Sequence, residues 1–389
     1  MTAVDPPFAA LGAAGPVVLE RWFARHGAPP LLDLARSGAP ALSLRDVLRH
    51  ADHGAFETLL DTSLDYGDGC GGVALRAAIA SSGAARCGEE VLVSHGAVEA
   101  LLLACAALVG ERRRVLVGVP AYEALLRIPA AAGAEVVAIP VWHGGDGVGR
   151  LDLDALHDRV DESVAAVLVN SPENPTGAVA AAHDLDGLAA RCAAAGAVLI
   201  VDEVAVRTLD AQAPHACDLP AFASGAVVTV GDVSKACGLG GLRIGWLTTS
   251  SPRLLERVAA AKDLTTVGNA APSELLAGWA LRRREALVGP VRAAALRNLE
   301  ALQHWIAAMP GDRGASLTAP RDGLVAFPRL PSAATVAAAE RIRREHGVAL
   351  VPGELFGIPN HARVGLGVAP ELFSAALDRL DAALRSPAG

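Results

Sequence analysis

The sequence predicts an α/β fold: a domain built on a mostly parallel seven-stranded sheet, followed by a smaller α+β domain. Two observations carry this expectation. Between about residues 90 and 250, short β-branched runs alternate with longer helical stretches, the pitch of strand–helix–strand units covered on both faces. After Pro252 the pattern changes to long helical stretches separated by short extended runs. At 389 residues the chain exceeds one ordinary core, and a hydrophobic content of 52% is ample for two. The expected division is an N-terminal segment, 1–48, packing with the small domain, a large α/β domain over 49–255, and a small α+β domain over 256–389.

In chain order, a helix is expected at 19–25. Strands then follow at 91–93, 115–117, 135–139, 165–169, 198–202, 227–230 and 243–247, with helices at 98–109, 122–128 and 185–194 between them. Helices at 254–262, 273–287 and 291–309 open the second domain. A strand at 323–327, a helix at 334–346, short strands near Val348 and Arg363, and a helix from Pro370 complete it. Alanine runs such as 130–132 and 193–195 favour helix and say little else.

Composition excludes several function classes. A net charge of −8 opposes a nucleic-acid footprint or a polybasic membrane surface. The first thirty residues lack a basic segment followed by an apolar one, so no signal peptide is expected. The apolar stretch 100–110 is too short for a bilayer, which needs ~20 residues. A soluble, cytoplasmic protein is the expectation. The six cysteines (Cys70, Cys87, Cys105, Cys192, Cys217, Cys237) show no metal-ligand spacing and read as small apolar fillers in a reducing compartment.

In parallel sheets, ligands bind outside the carboxyl ends of the strands, and the chemistry-bearing residues fall there. Lys235 lies in a glycine-rich bend, Ser234-Lys235-Ala236-Cys237-Gly238-Leu239-Gly240-Gly241-Leu242-Arg243, with Arg243 eight residues on. A lysine that forms a Schiff base with a phosphorylated aldehyde such as pyridoxal 5'-phosphate (PLP) needs an anion-binding fork nearby, and Arg243 offers one. Asp202 ends the apolar strand 198–202, where a carboxylate is costly unless paired; beneath a pyridine ring it would keep the ring nitrogen protonated. A protonated ring is the electron sink for a carbanion at the substrate's α-carbon. The turn Asn170-Ser171-Pro172-Glu173-Asn174-Pro175-Thr176-Gly177 follows another strand, and the Asn174 amide can hydrogen-bond a phenolic oxygen. Upstream, the backbone N–H groups of Gly96, Ala97 and Val98 open a helix and form an anion site. Tyr122 is placed to stack on a planar ring, and Tyr66 sits in a glycine-rich loop from which a phenol could reach a phosphate, plausibly in a neighbouring subunit.

Taken together, Tyr66, Gly96 with Ala97, Tyr122, Asn174-Pro175-Thr176-Gly177, Asp202-Glu203, Ser234-Lys235, Arg243 and Arg363 make the chain resemble, over nearly its entire length, the class I/II aminotransferase family of fold-type I PLP-dependent enzymes. The resemblance implies Lys235 as the catalytic, Schiff-base lysine, Asp202 as partner of the pyridine nitrogen, Asn174 as partner of the ring oxygen and Tyr122 as the stacking ring. It also implies that Ser234, Arg243, Gly96, Ala97 and Val98 hold the phosphate, with Tyr66 doing so from the partner subunit of a homodimer. Arg363 would clamp the α-carboxylate of a small amino-acid substrate, with the backbone near Gly38 and the side chain of Asn174 beside it.

Two departures point to a specialised enzyme. Where the family usually has a tyrosine three residues after the aspartate, this chain has Ala205; losing that donor should raise the Schiff-base pKa and slow ordinary transamination. Asp232 stands where a Ser or Thr often contacts phosphate, so it is expected to point away or to meet a cation. The stretches Leu19-Glu20-Arg21-Trp22 and 33–39 are more similar to a branch of the family that expels the β-hydroxyl of β-hydroxyarginine and cyclises the product than to housekeeping transaminases. Acidic residues would have to orient the guanidinium, and Asp68, Glu173 and Asp232 are the candidates. Plain transfer of the α-amino group to a 2-oxo acid is the alternative.

Overall fold

Strands apolar on both faces need a hydrogen-bonding neighbour on each side, and the chain supplies these in one central sheet. The computed structural model describes residues 15–25, 32–144, 149–311 and 314–385. A short β1 (Leu32–Asp33) precedes the sheet, which comprises β2 (Val91–Ser94), β3 (Arg114–Val119), β4 (Glu135–Pro140), β5 (Val164–Asn170), β6 (Val198–Asp202), β7 (Val227–Asp232) and β8 (Gly245–Thr248). Their order is β2-β8-β7-β6-β5-β3-β4. The five strands from β7 to β4 are parallel, and β8 runs antiparallel to both β7 and β2. Alternate side chains enter opposite cores: Leu199 joins Leu188 and Phe222 on one face, and Ile200 joins Leu101 and Leu125 on the other.

The antiparallel β8 has a local cause. The chain leaves β7, passes through the lysine-bearing bend and returns beside the same strand, with Val233 N–H donating to Ile244 O at 3.2 Å. The strand expected from Arg243 begins at Gly245 instead, because Arg243 is left-handed (φ 55°) and closes the tight turn Gly240–Leu242.

Beyond the sheet, the expected helix 273–287 is split. Helices Ala271–Arg282 and Arg284–Ala307 meet at Arg283 (φ −114°, ψ 21°), and Pro290 lies inside the second. Tertiary contacts outweigh the proline there: Arg284 Nη2 donates to Val206 O at 2.8 Å, and Arg292, on the other side of Pro290, donates to Thr208 O at 3.2 Å. Strands β9 (Val325–Ala326), β10 (Val348–Ala349), β11 (Val351–Pro352) and β12 (Ala362–Gly365) follow. An antiparallel sheet β11-β12-β9 packs with helices Val336–His346 and Pro370–Arg385 around Leu302, Ile342, Val364 and Phe373.

The N-terminal residues attach to this second unit through β1, which pairs in parallel with β10. Helix Val18–Arg25 buries Leu19 and Trp22 against Ala35, Ala349 and Val351. Among the described residues no helix is long and apolar enough to cross a membrane. Cys105, Cys192, Cys217 and Cys237 are buried, whereas Cys87 is exposed and so fills no core.

Candidate active site

The carboxyl ends of β5, β6 and β7 bring Asn170, Asp202 and Asp232 to one edge of the sheet, with Asn170 in register beside Asp202. Asp202 is buried, and Val204 N–H donates to its Oδ1 at 3.2 Å. Burial first, and then the nearby Asp232 and Glu203 carboxylates, push its carboxyl up to about 7 against the opposing pull of the Val204 bond and of Lys235. Asn170 escaped the sequence reading. Its Nδ2 donates to Asp202 O at 3.0 Å and its Oδ1 accepts from Asn174 N–H at 2.8 Å, pinning the turn that carries Asn174. A polar residue closing an otherwise apolar strand was the available signal.

Lys235 is fixed from above by the N-terminal segment. Ala39 N–H donates to Lys235 O at 2.8 Å, and a Cβ added to Gly38 would come within 3.1 Å of Lys235 Cα. Gly238 (φ 67°) approaches Pro40 O so closely that any side chain would collide. The Asp232 carboxylate is met by its neighbour: Ser234 Oγ donates to it at 2.7 Å, and Ser234 N–H does so at 2.8 Å. The Ser234 hydroxyl is therefore engaged by the acid two residues before it.

A helix N-terminus and a guanidinium meet beside this bend. Gly96 (φ 82°) opens helix Ala97–Leu108, with Ala97 buried and the Val98 side chain exposed. Arg243 lies across this helix start, donating to His95 O at 3.1 Å and Gly240 O at 3.0 Å, and a Cβ on Gly96 would strike its guanidinium. Both bonds go to neutral carbonyls, so the Arg243 charge and the helix N-terminus face the same space.

Arg363, on β12, is buried, which lowers its guanidinium to about 10. It donates from Nη1 to Asn174 Oδ1 and from Nη2 to Ala35 O, both at 2.7 Å, lies 5.5 Å over the Phe356 ring, and leaves Nε without a partner. Tyr122 donates to Glu20 Oε1 at 2.6 Å; burial and then that carboxylate raise its phenol above the usual range. Tyr66 is 89% exposed and reaches none of these groups within its own chain. Its glycine-rich loop is held at the base by Lys262, whose buried Nζ donates to Gly69 O (2.6 Å), Val93 O (2.7 Å) and Asn269 Oδ1 (2.7 Å). Burial lowers the Lys262 ammonium. The sequence reading missed this residue too, although Leu254, Val258 and Lys262 share one helical stripe.

The donor set fits a phosphorylated pyridine aldehyde: an amine at Lys235, a buried carboxylate at Asp202, and a guanidinium over a helix N-terminus. The orphaned Arg363 Nε, buried without a hydrogen-bond partner among the described residues, suits a further anion. Residues 38–380 match the model of the family described as aminotransferase class I and II. The chain belongs to that family. It is 32% identical to capreomycidine synthase of Streptomyces vinaceus over 91% of this chain and 90% of that protein. Among solved structures it resembles the PLP-dependent cyclase OrfR (TM-score 0.85, 34% identity, 96% of this chain and 98% of that one). It also resembles N-succinyldiaminopimelate aminotransferase of Mycobacterium tuberculosis (TM-score 0.81, 25% identity, 98% and 100%). As a member of the aminotransferase class I and II family, the protein is a PLP-dependent enzyme of fold type I.

Relative to the pattern of that family, Ala205 leaves a methyl where a phenol would stand, and a Cβ built on Gly323 would lie 3.8 Å from it. Of the acids considered for a guanidinium, Asp68 is an exposed loop residue that accepts from Cys70 N–H at 2.8 Å. Glu173 is buried, accepts the Thr176 hydroxyl, and has Oε1 unpartnered. A cavity of about 810 Å³ opens on Lys235 and Ser234 beneath the N-terminal helix, its wall including Glu20, Trp22, Phe23 and Asp33.

Proposed function

We propose that this enzyme is a capreomycidine synthase-like cyclase of specialised-metabolite biosynthesis, which expels the β-hydroxyl of a β-hydroxyarginine-like amino acid and closes a guanidine nitrogen onto the β-carbon. The observation that carries this reading is Ala205, a methyl where a transaminase has a phenol, together with the likeness to capreomycidine synthase and to a PLP-dependent cyclase. PLP, held covalently by Lys235, supplies the electron sink for the pair left at the α-carbon.

This chain's residues do the rest. Arg363 orients the substrate through its α-carboxylate, using the free Nε, while Gly38 and Asn174 border the same position. Lys235 Nζ takes the α-proton. Asp202 holds a proton on the pyridine nitrogen, Asn174 Nδ2 faces the ring oxygen, and Tyr122 covers the ring. Gly96, Ala97, Val98 and Arg243 bind the phosphate, with Tyr66 of a second copy completing it in a homodimer; Ser234 joins them by turning its hydroxyl from Asp232 to the phosphate. In the net reaction the α-proton and β-hydroxyl leave as water, and a guanidine N–H adds with nitrogen at the β-carbon and the proton at the α-carbon. The enzyme acts in the cytoplasm, with 49–255 as the cofactor-binding domain, 256–389 as the small domain, and 1–48 as an N-terminal segment joined to the latter through β1.

The alternative, amino transfer to a 2-oxo acid, draws on the aminotransferase relatives. Product mass separates the two: incubation with β-hydroxyarginine gives loss of one water with the amine retained. Appearance of a keto acid, dependent on an added 2-oxo acid acceptor, would overturn the cyclase reading.

A further inference from the structure

We infer that Glu20 is the specificity-determining residue that receives the cationic end of the substrate side chain. The inference rests on the proposal that the substrate is arginine-like and identifies what recognises it. An amino acid held at its carboxylate by Arg363, its amine replacing Lys235 on the cofactor, would have only its side chain left to place, and the cavity that opens on Lys235 offers the volume. Four charged residues besides Lys235 reach that wall: Glu20, Asp33, Arg36 and Arg343. Asp33 is committed, since Arg36 Nε donates to its Oδ2 and Ala35 N–H to its Oδ1, both at 3.0 Å. Glu20 differs. Its hydrogen-bond partner is the neutral Tyr122 hydroxyl, which holds one oxygen in a fixed direction without bringing a charge to it.

Glu20 also has the right neighbours. It is one turn of helix from Phe23, with Trp22 packed edge-to-face on Phe23 at 5.2 Å, so apolar rings border the acid as a methylene chain and a planar cation require. Through Tyr122 it touches the residue that covers the cofactor ring. Its charge also acts on the Arg363 guanidinium, which places the acid near the carboxylate clamp. None of the acids singled out from sequence has this combination: Asp68, Glu173 and Asp232 do not line the cavity that opens on Lys235.

The test is equilibrium binding to the PLP-loaded enzyme, read from the cofactor absorbance during titration with L-arginine, its neutral isostere L-citrulline, and the acidic L-2-aminoadipate. Wild type binds arginine ~10–100-fold more tightly than citrulline, the range of a charge-assisted hydrogen bond. Glu20→Gln brings that ratio near one while retaining the cofactor spectrum, and Glu20→Asp recovers part of it. If Glu20→Gln keeps the arginine preference, or weakens arginine and citrulline equally, Glu20 only orients Tyr122 and the inference fails while the proposed function stands. If wild type itself prefers citrulline or 2-aminoadipate, the side chain goes elsewhere, for the acid to Arg343, and the arginine-like substrate falls together with the role of Glu20.

Discussion

Arg363 donates to Asn174 Oδ1 at 2.7 Å, joining β12 of the second unit to the turn that leaves β5 of the central sheet. The same asparagine is pinned through its N–H to Asn170, so the guanidinium is oriented by the sheet edge itself. With Ala35 O taking the other terminal nitrogen, three separate parts of the chain converge on one side chain.

Arg363→Lys should therefore raise KM far more than it lowers kcat. A lysine cannot reproduce the planar fork, and losing a hydrogen bond to a charged group costs about 1.5–3 kcal/mol, equivalent to ~10–100-fold in KM. Steady-state kinetics with an amino acid and with the matching amine that lacks a carboxylate check this. The amine should be indifferent to the substitution, and an unchanged KM for the amino acid would exclude carboxylate binding at Arg363.

Ala205→Tyr should restore a hydroxyl donor beside the cofactor. The donor stabilises the deprotonated form, so the pH midpoint of the cofactor's visible absorbance falls by about one unit or more. Amino transfer should gain relative to cyclisation in the same variant. Absorbance titration and product analysis on one preparation read both effects; a midpoint that stays put would show that residue 205 does not face the cofactor.

Glu173 gives a stability prediction with a defined sign. Burial pushes its carboxyl from an ordinary value of 4.5 up to about 8, so the folded state holds the proton more tightly than the unfolded state. Stability contributed by this group is intact below the unfolded value and is lost as pH rises toward about 8. Glu173→Gln remains neutral throughout. Its thermal midpoint should match wild type near pH 4 and exceed it above pH 8, by on the order of 2–4 kcal/mol in stability. A variant less stable at pH 9 than wild type would mean that the carboxylate is accommodated as an anion.

Much of this was legible in the sequence because the signals are local. Val198 to Asp202 is an apolar β-branched run closed by an acid, and strand β6 has those bounds. The Lys235 to Arg243 spacing spans a single bend, so its compactness needs no distant partner. Other features escaped because their partners are far away in sequence. The helix break at Arg283 depends on carbonyls at 206–208, and Lys262 depends on Gly69 and Val93. At Asp232, expected to avoid the site or meet a cation, the structure adds a local partner, the hydroxyl two residues along.

By itself, then, the sequence determined the sheet, the order of the chemistry along it, and the family, since these follow from periodicity and from motifs whose residues are adjacent. The tertiary structure decided which groups share a space: Glu20 with Tyr122, Arg363 with Asn174 and Ala35, and the N-terminal segment against Lys235. The physical reason is that a buried charge or donor must find its partner wherever folding places one, and the pairs Glu20–Tyr122, Arg363–Asn174 and Arg363–Ala35 lie 102, 189 and 328 residues apart along the chain.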